Sequence, residues 1–118
     1  MGNSGGFPTD PGKSYSERRS VPRYGLIAQT EVVEPVSGLR IAGRISEISR
    51  KGCYVDALNT LPTQTLIEIR ISRDQGKFNS PGKIIYTQEG MGMGIAFLNM
   101  PADQLKTLDT WLAELTSP

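Results

Sequence analysis

The side chains best equipped for chemistry stand just ahead of the first apolar run, in Glu17-Arg18-Arg19-Ser20-Val21-Pro22-Arg23. A guanidinium presents a planar fork of donors that grips a phosphate bidentately, docks on the O6/N7 edge of guanine, or stacks on a base. Arg19 and Arg23 stand four apart in a segment that Pro22 steers away from helix, so the two have the reach of a clamp on a nucleotide. The same string also reads as an ordinary solvated basic loop, because motifs this short arise by chance.

A second candidate is Glu47-Ile48-Ser49-Arg50-Lys51-Gly52. At the end of a strand Glu47 and Ser49 share a face, and Gly52 permits a tight turn or the close approach of another backbone. The carboxylate would accept from guanine N1–H and N2–H₂, while the Ser49 hydroxyl donates or accepts. A surface strand end followed by a plain turn fits the same residues. Strict alternation groups Glu47 with Ile41 and Ile45, which have core character, so Glu47 faces a ligand only if a bulge or a change of burial intervenes.

Two other features carry less. Gly90-Met91-Gly92-Met93-Gly94-Ile95-Ala96-Phe97 has the look of a nucleotide loop, but Ile95 or Phe97 stands where G-x-G-x-x-G needs its last glycine. It reads as turn and strand. The tyrosines are scattered without an aromatic cluster at strand spacing, which suits packing better than base stacking.

Composition narrows the chemistry further. The chain has no histidine and one cysteine, Cys53, so it lacks an internal disulfide, the usual zinc ligands and the commonest general base. This argues against an enzyme. A net charge of +1 over 118 residues is too small for a general DNA or RNA binder, so any anion site must be local. No apolar run is long enough to span a bilayer, and no signal peptide is evident. The expectation is a cytoplasmic protein without membrane insertion. Gly6 occupies the position where a myristoylation signal wants Ser or Thr.

The elements that must position these residues are mostly strands. Residues 1–16, rich in Gly, Pro and Ser, read as a disordered tail or expression remnant, and residues 17–118 as a single domain. Tyr24 to Val33 and Leu39 to Ile48 form an antiparallel pair across Glu34-Pro35-Val36-Ser37-Gly38. Cys53 to Ala57 is a short strand. Leu66 to Ser72 alternates Ile67, Ile69 and Ile71 with Glu68 and Arg70, the clearest period of two in the chain. A loop through Asp74-Gln75-Gly76 precedes a strand from Gly82 to Thr87, and Met91 to Leu98 is the last. Six short strands predict an all-β fold, a closed or nearly closed barrel. Leu105, Leu108, Leu112 and Leu115, with Trp111 beside them, then predict one amphipathic helix that plugs or flanks it, with Pro101 and Asp103 at its start.

In order and spacing, Arg19-x-x-x-Arg23 before the first strand and Glu47-x-Ser49-x-x-Gly52 at the end of the second closely resemble the PilZ domain. The resemblance continues through Gly52-Cys53-Tyr54-Val55, Leu61-Pro62 and Gly92-Met93-Gly94-Ile95-Ala96-Phe97 into the terminal helix, covering about Glu17 to Leu115. It implies a six-stranded antiparallel PilZ-type β-barrel with a C-terminal α-helix. It also implies that Arg19 and Arg23 wrap over cyclic di-GMP while Ser49 and Gly52 receive a guanine on the barrel surface. A basic residue at the place of Arg18 accompanies, in family members, binding of a stacked ligand pair. One departure stands out: the family has Asp or Asn where this chain has Glu47, longer by one methylene, which puts the fit to the ligand in question. The function so implied is a cyclic di-GMP receptor, without metal or other cofactor, that signals to a separate, unidentified protein effector. The alternative is a nucleotide-independent protein–protein adaptor on the same fold.

Overall fold

The isoleucine alternation sets the inside of this molecule. Ile67, Ile69 and Ile71 are all buried, while Glu68 and Arg70 between them face outward. Burying such a side chain contributes roughly 1.5–3 kcal/mol, so a strand written this way has one stable orientation against a core. The structure, a computed structural model, describes residues 21–74 and 76–116. The reading of residues 1–16 as a tail falls outside them.

Six strands, β1 (Arg23–Glu34), β2 (Leu39–Ser49), β3 (Gly52–Asp56), β4 (Leu66–Arg73), β5 (Gly76–Gln88) and β6 (Gly92–Phe97), precede one helix, α1 (Ala102–Thr116). The strands close into an antiparallel barrel in the order β1-β2-β3-β6-β5-β4, with β4 pairing back onto β1. Closure leaves no edge along the paired length. The core gathers Val32, Ile45, Ile48, Val55, Ile69, Phe78, Ile84 and Met93 from all six strands.

The β1–β2 turn is held by Glu34, whose carboxylate accepts the amides of Val36 at 3.0 Å and Ser37 at 2.9 Å. The Ser37 hydroxyl first, and then these amides, hold the Glu34 carboxyl below its ordinary range. At the opposite end α1 seals the barrel. Leu108 is fully buried, and the Trp111 ring packs on Phe78 with centroids 6.1 Å apart. Arg73 lies over the same indole, 5.7 Å from its centroid, and pairs with Glu114 at 2.6 Å.

One sequence boundary needs correction. The strand expected from Gly82 begins at Gly76, because β4 and β5 form a hairpin directly across Arg73 and Gly76. Pro81 has no amide to donate to a ladder, yet it lies just past the last β5–β6 pair, Gly82 with Phe97. There one side of β5 no longer needs a ladder partner, and proline is tolerated. The exposed side is closed by α1, where the Asn79 amide donates to Gln104 Oε1 at 2.8 Å.

Candidate functional site

Arg23 opens β1 and Ser49 closes β2, and the two are direct Cα partners across the strands. The pairing brings Arg23, the last arginine of its motif, and the second polar motif to the same end of the barrel, the end that α1 seals. Arg18 and Arg19 lie outside the described residues.

The bulge that Glu47 requires is present. Ile45 pairs with Val55 and Glu47 with Tyr54, so the β2–β3 register slips at Ser46. Ile45 and Ile48 are therefore both buried although three residues apart, and Ser46 and Glu47 between them are only partly buried. An extra residue in one strand turns the side chains beyond it to new directions. Glu47 thus leaves the inward set of Ile41 and Ile45 and joins Ser49 on the outer face.

There Glu47 Oε1 meets Arg23 Nη1 at 3.2 Å, with side chains 43% and 45% exposed. A longer carboxylate reaches diagonally to the residue opposite Ser49. Ser49 organises the turn after β2: its Oγ accepts the amides of Lys51 at 3.1 Å and Gly52 at 3.2 Å. A side chain bonding the backbone just ahead of it is a standard way to fix such a turn. The next residue in the turn, Arg50, pairs with Asp109 of α1 at 3.3 Å, tying the loop to the helix.

Of the two uses open to Gly52, the structure selects close approach. A Cβ there would stand 2.2 Å from the Ile95 carbonyl oxygen on β6, and its φ is not positive. Gly90, by contrast, takes a positive φ of 76° in the turn before β6, in keeping with the reading of that stretch as turn and strand.

Sequence reasoning missed an aromatic pair. Tyr54 on β3 and Tyr86 on β5 have ring centroids 5.9 Å apart, tilted by 32°. Gly94 on β6 pairs with both residues, and its missing side chain leaves room for the Tyr86 ring. Tyr54 hydroxyl donates to Gln88 Oε1 at 2.6 Å. Burial, then Tyr86 and Asp56, push the Tyr54 phenol up, so it stays a neutral donor. Since Tyr54 is also the β3 partner of Glu47, the pair sits one strand away from the polar motif. No periodicity in the sequence joins Tyr54 to Tyr86; only the insertion of β6 between β3 and β5 does. Among the described residues no group of His, Cys, Asp or Glu is arranged to hold a metal ion.

A closed six-stranded antiparallel barrel sealed by one C-terminal helix, with a basic residue and a serine-organised turn at one rim, defines a small β-barrel module. The family model for the PilZ domain matches residues 17–114, and the chain belongs to that family. No curated protein matches the sequence significantly. Among solved structures, the PilZ domain of CeSA from a cellulose-synthesizing bacterium is 21% identical, with a TM-score of 0.64 over 80% of this chain and 98% of that one. The PilZ domain of YcgR from Escherichia coli, solved with c-di-GMP, is 15% identical, with a TM-score of 0.70 over 83% and 91%. The Bacillus subtilis inhibitor of motility MotI/DgrA is 12% identical, with a TM-score of 0.67 over 82% of this chain and 50% of its own. At these identities the likeness is one of fold. No helix among the described residues is long and apolar enough to cross a membrane.

Proposed function

We propose that this chain is a cytoplasmic receptor for cyclic di-GMP that passes the signal to a protein effector and catalyses no reaction. A guanine docks on Glu47, Ser49 and the Gly52 turn, and Arg18, Arg19 and Arg23 close over the phosphates and guanines. The observation that supports this reading is the pairing of Arg23 with Ser49, which sets one residue from each motif side by side at one rim of the barrel. Family membership supports the choice of ligand, as does the fold shared with the c-di-GMP-bound domain of YcgR. Tyr54 and Tyr86 add a ring surface beside Glu47 on which a purine can stack.

Transmission has a physical route. Val21 and Pro22, between Arg19 and Arg23, line a groove with Leu112 and Thr116 of α1, and Arg50 in the Ser49 turn pairs with Asp109. A ligand held by the arginines at this rim changes what both contacts present to a partner. A nucleotide-independent adaptor is the second reading, favoured by one fact: Arg23 already has an anionic partner in Glu47.

Isothermal titration with cyclic di-GMP, against GTP and cyclic di-AMP as controls, tests the receptor. Selective, saturable binding is expected, and its stoichiometry separates one ligand from a stacked pair. The double variant Arg19→Ala/Arg23→Ala should lose binding and still unfold cooperatively within about 5 °C of wild type, the range set by loss of one exposed ion pair. Unchanged affinity in that variant would remove the proposed site, and a folded wild type that binds nothing would favour the adaptor.

A further inference from the structure

Gly25 is a glycine in a strand that the fold does not explain. At Gly43, Gly52, Gly82, Gly92 and Gly94 a Cβ would come within 3.0 Å of a neighbouring atom, and Gly38 and Gly90 take positive φ. Gly76 lies under the Trp111 ring, 3.4 Å from where its Cβ would be. Among the described residues nothing lies within 4 Å of a Cβ built at Gly25, and its φ is not positive. The β1–β2 register does slip between Gly25 and Ala28, but the bulge type that demands glycine puts it in the left-handed region, where Gly25 is not. A strand glycine without a packing reason carries an entropic cost, and the remaining reason to keep one is that something from outside comes close to the backbone.

Its surroundings say what. Gly25 faces outward in β1 between Arg23 and Ile27, and its β2 partner is Glu47. Ile27 is 75% exposed, an apolar side chain left in water beside the bare backbone. Bare backbone at Gly25 is thus neighboured along β1 by the guanidinium of Arg23 and the apolar Ile27, and across on β2 by the Glu47 carboxylate. A planar heterocycle with donors on one edge satisfies all four, burying its face on the bare backbone and Ile27 while its N–H groups meet Glu47.

We propose that Gly25 is the floor on which one purine ring of the cyclic dinucleotide lies, a positioning residue for the receptor site. The inference rests on the receptor reading. A side chain at this position would lift the ring off the floor and away from Ser49, so size, not polarity, decides the effect.

The test pairs calorimetric titration of cyclic di-GMP with thermal melting for wild type, Gly25→Ala and Gly25→Val. Freed of the glycine cost, Gly25→Ala should melt about 2–5 °C above wild type. Its affinity should fall about tenfold, as expected when a methyl is forced into a fitted contact, and Gly25→Val should lose more. Wild-type affinity in Gly25→Val would overturn the proposal. So would a melting temperature for Gly25→Ala several degrees below wild type, which would give the glycine a structural reason. A wild type that binds no cyclic di-GMP would overturn the receptor reading and this inference with it, an outcome read on the unaltered protein alone.

Discussion

Arg23 and Glu47 hold each other across the rim of the barrel, Nη1 to Oε1 at 3.2 Å, with each side chain nearly half exposed. The carboxylate occupies the guanidinium that the receptor reading assigns to the ligand. A phosphate and Glu47 are both anions seeking the same fork of donors, so under the receptor reading a ligand phosphate competes with this pair for Arg23.

That competition sets the first prediction. An exposed ion pair is worth about 0.2–1 kcal/mol, which caps its drag on affinity at about fivefold. Glu47→Asp keeps an acceptor for guanine but draws the carboxylate back from Arg23 by one methylene. Titration with cyclic di-GMP should show binding about two- to fivefold tighter, in line with the release of such a pair. Weaker binding by the aspartate variant would mean that the ligand uses the full length of Glu47.

Gly52 sits where β3 passes the Ile95 carbonyl, and a Cβ would stand 2.2 Å from that oxygen. The obstacle is backbone on both sides, so Gly52→Ala must push β3 from β6 where Gly52 pairs with Ala96. We expect a loss of about 1–3 kcal/mol, seen in urea as a lower midpoint with an unchanged slope. An alanine variant as stable as wild type would show that the two strands separate at no cost, and would shift the reason for Gly52 from packing to the ligand.

Cys53 is the single cysteine of the chain and is buried in the barrel wall. Burial pushes its thiol up to about 12 from an ordinary value of 9.0, so it is neutral at physiological pH. Iodoacetamide at about pH 8 should leave the native protein unmodified and label it only after unfolding in urea. The sign for stability comes from the same shift. Above the unfolded value the open chain releases a proton that the folded one retains, so this thiol lowers stability as pH rises from about 9 toward 12. A Cys53→Ala variant should lack that part of the alkaline decline, which melting curves across the interval would reveal.

Much of the fold was legible in the chain because its signals are local. Ile67, Ile69 and Ile71 alternate with charged residues and can bury only one face. Leu105, Leu108 and Leu112 recur at helical spacing and seal the barrel through Leu108 and the adjacent Trp111. The start of β5 was not legible, since Pro81 carries a strong local signal against a strand. The signal fails because the β5–β6 ladder has already ended there and α1 takes up the Asn79 amide.

For the candidate site, residue types and spacing were enough to pick out the side chains that could grip a nucleotide and their order: Arg19 and Arg23, then Glu47, Ser49 and Gly52. It also showed that alternation would bury Glu47 unless a bulge intervened. That the bulge falls at Ser46 emerges once β2 and β3 are paired, because a register slip is a property of two paired strands and not of either alone. The same holds for the contact of Arg23 with Glu47, the meeting of Tyr54 and Tyr86 around β6, and the open space above Gly25. Each depends on which strands become neighbours. Barrel closure settles that through burial summed over all six strands, a quantity that no short stretch of sequence contains.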